Sequence, residues 1–173
     1  MEKSKSKVIL ITGGQRSGKS ALSERLALEY SDSPVYIATA QVRDNEFEER
    51  VRLHRRRRGP QWTTFEETLR PDSLNLTGRT VLLDCVTMWA TNMFFHLQED
   101  TRAALEKLKF YFDTLVSRPG VYILVSNEIG SGGIAPNAMQ RAFTDLQGWF
   151  NQYIAARADE VYLTVAGIPM KLK

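Results

Sequence analysis

The chain has 173 residues, 43% of them apolar and 25% charged, which is enough to close one buried core and too apolar for a disordered chain. Its longest apolar runs, "VILI" and "VYILV", have strand length, so neither a membrane span nor a signal segment is read, and one cytoplasmic domain over 1–173 is expected. The single cysteine, Cys85, excludes an internal disulfide and a cysteine-based zinc site; it reads as a small buried core residue after a strand. The formal net charge of +3 is uneven: six arginines fall within 50–58, and without them the rest of the chain stands at −3. One concentrated basic patch suits a compact anionic ligand at least as well as nucleic acid.

In chain order, "VILIT" (8–12) predicts a buried strand and 18–30 a helix with Leu22 and Leu26 on one face. "PVYIAT" (34–39) predicts a second strand. Residues 44–58 predict a helix, acidic early at Glu46, Glu48 and Glu49 and basic late, as the helix dipole favours, ended by Gly59-Pro60. Strands are expected at 80–86 and 120–128, with helical stretches at 87–97 and 100–117. A Gly-rich loop over 129–137 leads into a long helix to about 158, then to strands "VYLTV" and "MKLK" turned by "AGIP". This alternation predicts an α/β fold: a mostly parallel sheet with helices on both faces and a C-terminal antiparallel pair.

Between the first strand and the first helix stands "GGQRSGKS", that is Gly13, four residues (Gly14, Gln15, Arg16, Ser17), then Gly18-Lys19-Ser20. This spacing in this setting is the P-loop pattern, and it predicts a P-loop NTPase of the RecA-like type. Glycines let the backbone close around phosphate oxygens, Lys19 reaches the terminal phosphates and Ser20 ligates Mg2+. Asp84, ending an apolar strand, has the Walker B position for the same metal; capping of the following helix is its other reading. Chemistry in such sheets lies at the C-terminal strand ends, so Thr39, Asp84, Asn127 and Glu128 should converge there. "SNEIG" lacks the lysine and aspartate of a GTPase switch signature, which argues against that class.

The stretch "VRLHRRRRGP" (51–60) carries His54 directly before Arg55, Arg56, Arg57 and Arg58. Phe47, Val51 and His54 share a helical face, so spacing alone makes His54 a packed core histidine. The alternative is a nucleophile: neighbouring positive charge keeps an imidazole neutral, and the guanidiniums would clamp a triphosphate. His96, in "NMFFHLQ", reads as core or helix-end packing. Trp89, Phe94, Phe95, Trp149 and Phe150 read as core or subunit interface.

Taken together and in order, "ITGGQRSGKS", "VYIATAQ", "RVRLHRRRR", "LLDCVTMWATNMF", "SNEIGSGGIAP" and "RAFTDLQGWFNQYIAARADEVYLTVAGIPMKLK" resemble the bifunctional adenosylcobinamide kinase / adenosylcobinamide-phosphate guanylyltransferase family of cobalamin biosynthesis. The resemblance runs from about residue 7 to the C-terminus. It implies two activities on one chain: phosphorylation of adenosylcobinamide by ATP or GTP, then transfer of GMP from GTP through a GMP-histidine intermediate to give adenosylcobinamide-GDP. It further implies that His54 is the catalytic histidine and Lys19 the phosphate-loop lysine. Nucleotide contacts would come from Gly13 to Ser20, from Ala38, Thr39 and Ala40, from Arg55 to Arg58, and from Glu66 and Asp84. Ser20 and Asp84 would hold Mg2+. A homotrimer is implied, with no nucleic-acid partner. The chain departs from the family pattern in having Leu53-His54 where some relatives have two histidines, and in a loop "GSGGIAP" one residue longer. On the residues alone, a P-loop kinase of another small alcohol and a nucleic-acid-stimulated ATPase stay open.

Overall fold

Val8, Ile9, Leu10 and Ile11 leave the first strand no polar face, which is what a strand covered on both sides requires. The computed structural model describes residues 6–40 and 59–173. In it this strand, β1 (Lys7–Gly13), is an inner strand of a seven-stranded sheet. The elements that follow are α1 (Lys19–Tyr30), β2 (Val35–Ala38), β3 (Thr63–Glu66), β4 (Thr80–Asp84), α2 (Val86–His96), α3 (Thr101–Val116), β5 (Val121–Val125), α4 (Ala138–Arg157), β6 (Glu160–Val165) and β7 (Ile168–Lys171). The strand order is β3-β2-β4-β5-β1-β6-β7, parallel throughout except for the antiparallel β6–β7 pair.

Alternate residues of each inner strand face opposite ways and build two cores. Val8, Leu10, Leu83 and Leu124 meet α2, α3 and α4 through Trp89, Phe94, Leu108, Phe112, Phe150 and Ile154. Ile9, Ile11, Leu82 and Ile123 meet α1 through Leu22 and Ala27. The register pairs like with like, Ile9 with Ile123 and Leu10 with Leu124, so a one-residue slip would exchange the two cores. Each fully buried large side chain contributes roughly 1.5–3 kcal/mol.

Several expectations shift. Sequence patterning gave no strand between 59 and 79, yet β3 pairs in parallel with β2; all four of its residues are exposed, so an edge strand with no buried face left no alternating pattern to read. The strands expected at 34–39, 80–86 and 120–128 are shorter: the amides of Thr39 and Ser126 still reach the neighbouring strands, but those of Cys85 and Asn127 turn to the hydroxyls of Thr39 and Thr87. β7 begins at Ile168 rather than at 170. Ala166 and Gly167 both have positive φ (50° and 81°), the two-residue turn that fits the twist of a hairpin, so pairing starts at once. Trp89, Phe94 and Phe150 are core; Phe95 and Trp149 are exposed. Of the two readings for His96, core or helix end, the second holds: it is exposed in the last turn of α2. The helix expected at 44–58, with His54 and Arg55, Arg56, Arg57 and Arg58, lies outside the described residues.

Candidate active site

The loop between β1 and α1 is shaped by contacts that only glycine permits. A Cβ on Gly13 would lie 2.4 Å from the carbonyl oxygen of Thr164, and Gly18 has a φ of 100°. Gly14, Gln15 and Arg16 are exposed at the tip, while Ser17 and Lys19 are buried beneath it. Lys19 Nζ donates to the carbonyl oxygen of Gly14 at 2.5 Å, bending the side chain back along the loop. Burial lowers the Lys19 pKa, opposed by electrostatic attraction to the neighbouring Cys85 and Asp84. Among the described residues it forms no salt bridge.

The start of α1 is also unsatisfied. Cys85 Sγ, Asp100 and Asn137 cap α2, α3 and α4 by accepting the amides of Met88, Ala103 and Gln140. α1 has Gly18 at that place, no side-chain cap, and no acidic residue in its first turn. Its free N–H groups and dipole are a ready anion site.

Asp84 ends β4 and its Oδ2 accepts a hydrogen bond from Tyr36 Oη at 2.9 Å. It does not cap the next helix. Cys85 does, half-buried rather than a plain core residue, with burial pushing its thiol up to about 12. Ser20, in the first turn of α1, and Asp84 supply hard oxygen donors at one end of the sheet. That donor set fits Mg2+, which takes one or two protein oxygens and fills its shell with phosphate and water.

Thr39, fully buried, donates to the Cys85 carbonyl at 2.7 Å and accepts from the Cys85 amide at 2.8 Å. Asn92 in α2 donates to the carbonyls of Thr39 (2.7 Å) and Thr68 (3.1 Å), tying the exits of β2, β3 and β4 together. Asn127 follows β5; its amide donates to Thr87 Oγ1, and Asn151 of α4 donates to its carbonyl. Ser126, Gln147 and Asn151 form a hydrogen-bonded group beneath it. The amide of Glu128 donates to the Gly13 carbonyl at 3.0 Å, joining this exit to the phosphate loop.

The expected residues therefore follow the strand order. Gly13 to Ser20, Asp84, Asn127 and Glu128 gather around the exits of β1, β5 and β4, spanning about 10 Å at ordinary strand spacing. Ala38 and Thr39 adjoin Asp84, since Ala38 is its register partner and the Thr39 amide donates to its carbonyl at 3.3 Å; Ala40 follows them, and Glu66 on β3 lies about 19 Å from β1. Reasoning from sequence passed over Tyr36, Asn92, Gln147 and Thr164. Asn92 and Gln147 had a signal: a lone amide on an otherwise apolar helix face is buried only with partners.

The profile of a family described as "cobinamide kinase / cobinamide phosphate guanyltransferase" matches residues 9–172. A bifunctional adenosylcobalamin biosynthesis protein, CobP of Pseudomonas aeruginosa, is 44% identical over 170 residues, covering 95% of this chain and 96% of that protein. CobU of Escherichia coli, of the same description, is 36% identical over 181 residues, covering 96% and 99%. Among solved structures, a KaiC-like protein of Pyrococcus horikoshii (13% identity, TM-score 0.50) covers 91% of this chain and 71% of its own. An ATPase of a bacterial type III secretion system (14% identity, TM-score 0.51) covers 91% and 50%. These two likenesses concern the fold alone, that of P-loop ATPases.

Proposed function

The chain belongs to the cobinamide kinase / cobinamide phosphate guanyltransferase family, and from that premise we infer that it works in cobalamin biosynthesis as a bifunctional transferase. In the kinase step the hydroxyl of the cobinamide side arm attacks the γ-phosphorus of a nucleoside triphosphate. A P–O bond forms, the bridging P–O bond breaks, the hydroxyl proton passes to water and a nucleoside diphosphate leaves. In the second step a neutral imidazole nitrogen of His54 attacks the α-phosphorus of GTP and pyrophosphate departs. The phosphate oxygen of cobinamide phosphate then displaces the histidine, the P–N bond breaks, and adenosylcobinamide-GDP is released.

The observation that carries the reading is the family match over nearly the whole chain, joined to a buried Lys19, without a salt bridge among the described residues, under an uncapped helix start. Lys19 and the amides of Gly13 to Ser20 bind and orient the triphosphate. Ser20 and Asp84 would hold Mg2+, which when bound neutralises charge on the phosphate oxygens. Arg55, Arg56, Arg57 and Arg58 clamp the GTP phosphates beside His54, while Ala38, Thr39, Ala40 and Glu66 contact nucleotide at the exits of β2 and β3. ATP or GTP serves the first step and GTP the second. The whole chain, 1–173, acts as one catalytic domain in the cytoplasm; a single cysteine supports the setting. Exposed Ile168 and Met170 on the edge strand β7, with Leu172 just past its end, support contact between copies of the chain, which the family resemblance reads as a homotrimer. No helix among the described residues is long and apolar enough to cross a membrane.

Incubation with α-labelled GTP, then denaturation, tests the covalent step. The wild type should retain acid-labile, alkali-stable label, while His54→Ala should lose the label and GMP transfer but keep most kinase activity. An unlabelled wild type would overturn the histidine intermediate, and a labelled His54→Ala would overturn the assignment of His54.

A further inference from the structure

The C-terminal string "VYLTVAGIPMKLK" has no part in either transfer as described, yet it folds into the β6–β7 hairpin whose turn rests on the phosphate loop. The amide of Gly167 donates to the carbonyl oxygen of Ser17 at 2.9 Å. A Cβ on Gly18 would lie 3.0 Å from Gly167 Cα, so backbone meets backbone. Beside the turn, the hydroxyls of Ser17 and Thr164 share a 2.8 Å hydrogen bond, and both residues are more than nine-tenths buried. Thr164 Oγ1 also donates to the Thr12 carbonyl at 3.3 Å; its one proton is then committed, and Ser17 is the donor between the two hydroxyls.

These contacts fix peptide directions. In a trans peptide the carbonyl and the following N–H point opposite ways. Holding Ser17 O on the hairpin therefore turns the Gly18 N–H away from it, and the Glu128 amide, holding Gly13 O, does the same for Gly14 from the β5 side. We propose that the β6–β7 hairpin braces the phosphate cradle, with Thr164 and Gly167 as positioning residues that set the loop's N–H groups for an anion before nucleotide arrives. The proposal rests on the reading that this loop holds the triphosphate. Pre-organised donors spare the ligand the cost of ordering them, so the brace acts on affinity.

Binding of a non-hydrolysable GTP analogue and of inorganic tripolyphosphate, measured on Thr164→Val, Thr164→Ser and Lys19→Ala, tests it. Thr164→Val keeps the shape and removes the hydroxyl; its Kd should rise about tenfold for both ligands, and Thr164→Ser should return to within about twofold of wild type. Partial unfolding raises the measured Kd only by the inverse of the folded fraction, so urea unfolding of each variant, showing it more than nine-tenths folded under the binding conditions, limits a merely structural role to a change below about 1.2-fold. An unchanged Kd in Thr164→Val, equal weakening in Thr164→Ser, or weakening confined to the GTP analogue would each overturn the brace. If Lys19→Ala binds tripolyphosphate as tightly as wild type, the phosphate-loop reading itself fails; if Lys19→Ala is weakened and Thr164→Val is not, only the brace fails.

Discussion

At the N-terminal end of β1, Lys7 Nζ lies 2.6 Å from Glu160 Oε1 and donates to Tyr30 Oη at 2.6 Å, while Glu160 also accepts from Tyr162 Oη (2.6 Å) and Lys171 Nζ (3.1 Å). Past its C-terminal end, Lys19 lies near Asp84 without pairing with it. Hydrogen bonding to Glu160 raises the Lys7 pKa and, reciprocally, holds the Glu160 carboxyl down at about 2. Burial lowers that of Lys19, with Cys85 and Asp84 opposing the shift. The first cluster is closed and stabilises the fold, clamping β1, β6, β7 and the end of α1. The second is left open, and its unmet charge is what a phosphate would complete.

Removing Lys19 should break this contrast most sharply. Lys19→Met should weaken nucleoside triphosphate binding on the order of a hundredfold or more, measured by calorimetry. The same variant should raise the stability of the ligand-free protein by about 1 kcal/mol in urea unfolding, because a buried amine with no salt bridge among the described residues is replaced by an apolar chain. Asp84→Asn comes next: kinase turnover should fall on the order of a hundredfold, with added Mg2+ recovering only part of it. Tyr36→Phe removes only the hydroxyl that orients Asp84, and should raise the Mg2+ concentration for half-maximal activity about tenfold with little change in unfolding midpoint.

Legibility in the sequence follows the same division. The phosphate loop could be read because its chemistry needs particular residue types at fixed spacing, and Asp84 because an acid ending an apolar strand is a local signal. The inner strands could be read because burial on both faces leaves apolar runs. β3 could not, since "TTFE" is an exposed edge with no buried face. The Lys7–Glu160 cluster could not either: its members lie up to 164 positions apart, and only the sheet order brings them together. Nor could the contact of Thr164 with Ser17, 147 positions apart, which exists because β6 pairs with β1.

The smallest effect belongs to the closed cluster and gives its sign through pH. Glu160 has a depressed folded pKa, about 2 against an ordinary 4.5, so its stabilisation is fully present above about pH 4.5 and is lost as pH falls toward 2. Lys7 shifts the other way: its stabilisation is present below its ordinary 10.5 and is lost only in strong alkali. Glu160 is mostly buried, but Lys7 and Lys171 are over a third exposed and their attraction is screened, so Glu160→Gln should lower stability at pH 7 by only about 1 kcal/mol. Near pH 2.5 most of that deficit should vanish, because the wild-type carboxylate is then losing its advantage over the amide. Urea unfolding of both proteins at the two pH values checks this. A deficit that stays constant would mean that the side chain acts by packing rather than by charge, and the contrast between the two ends of β1 would lose its electrostatic basis.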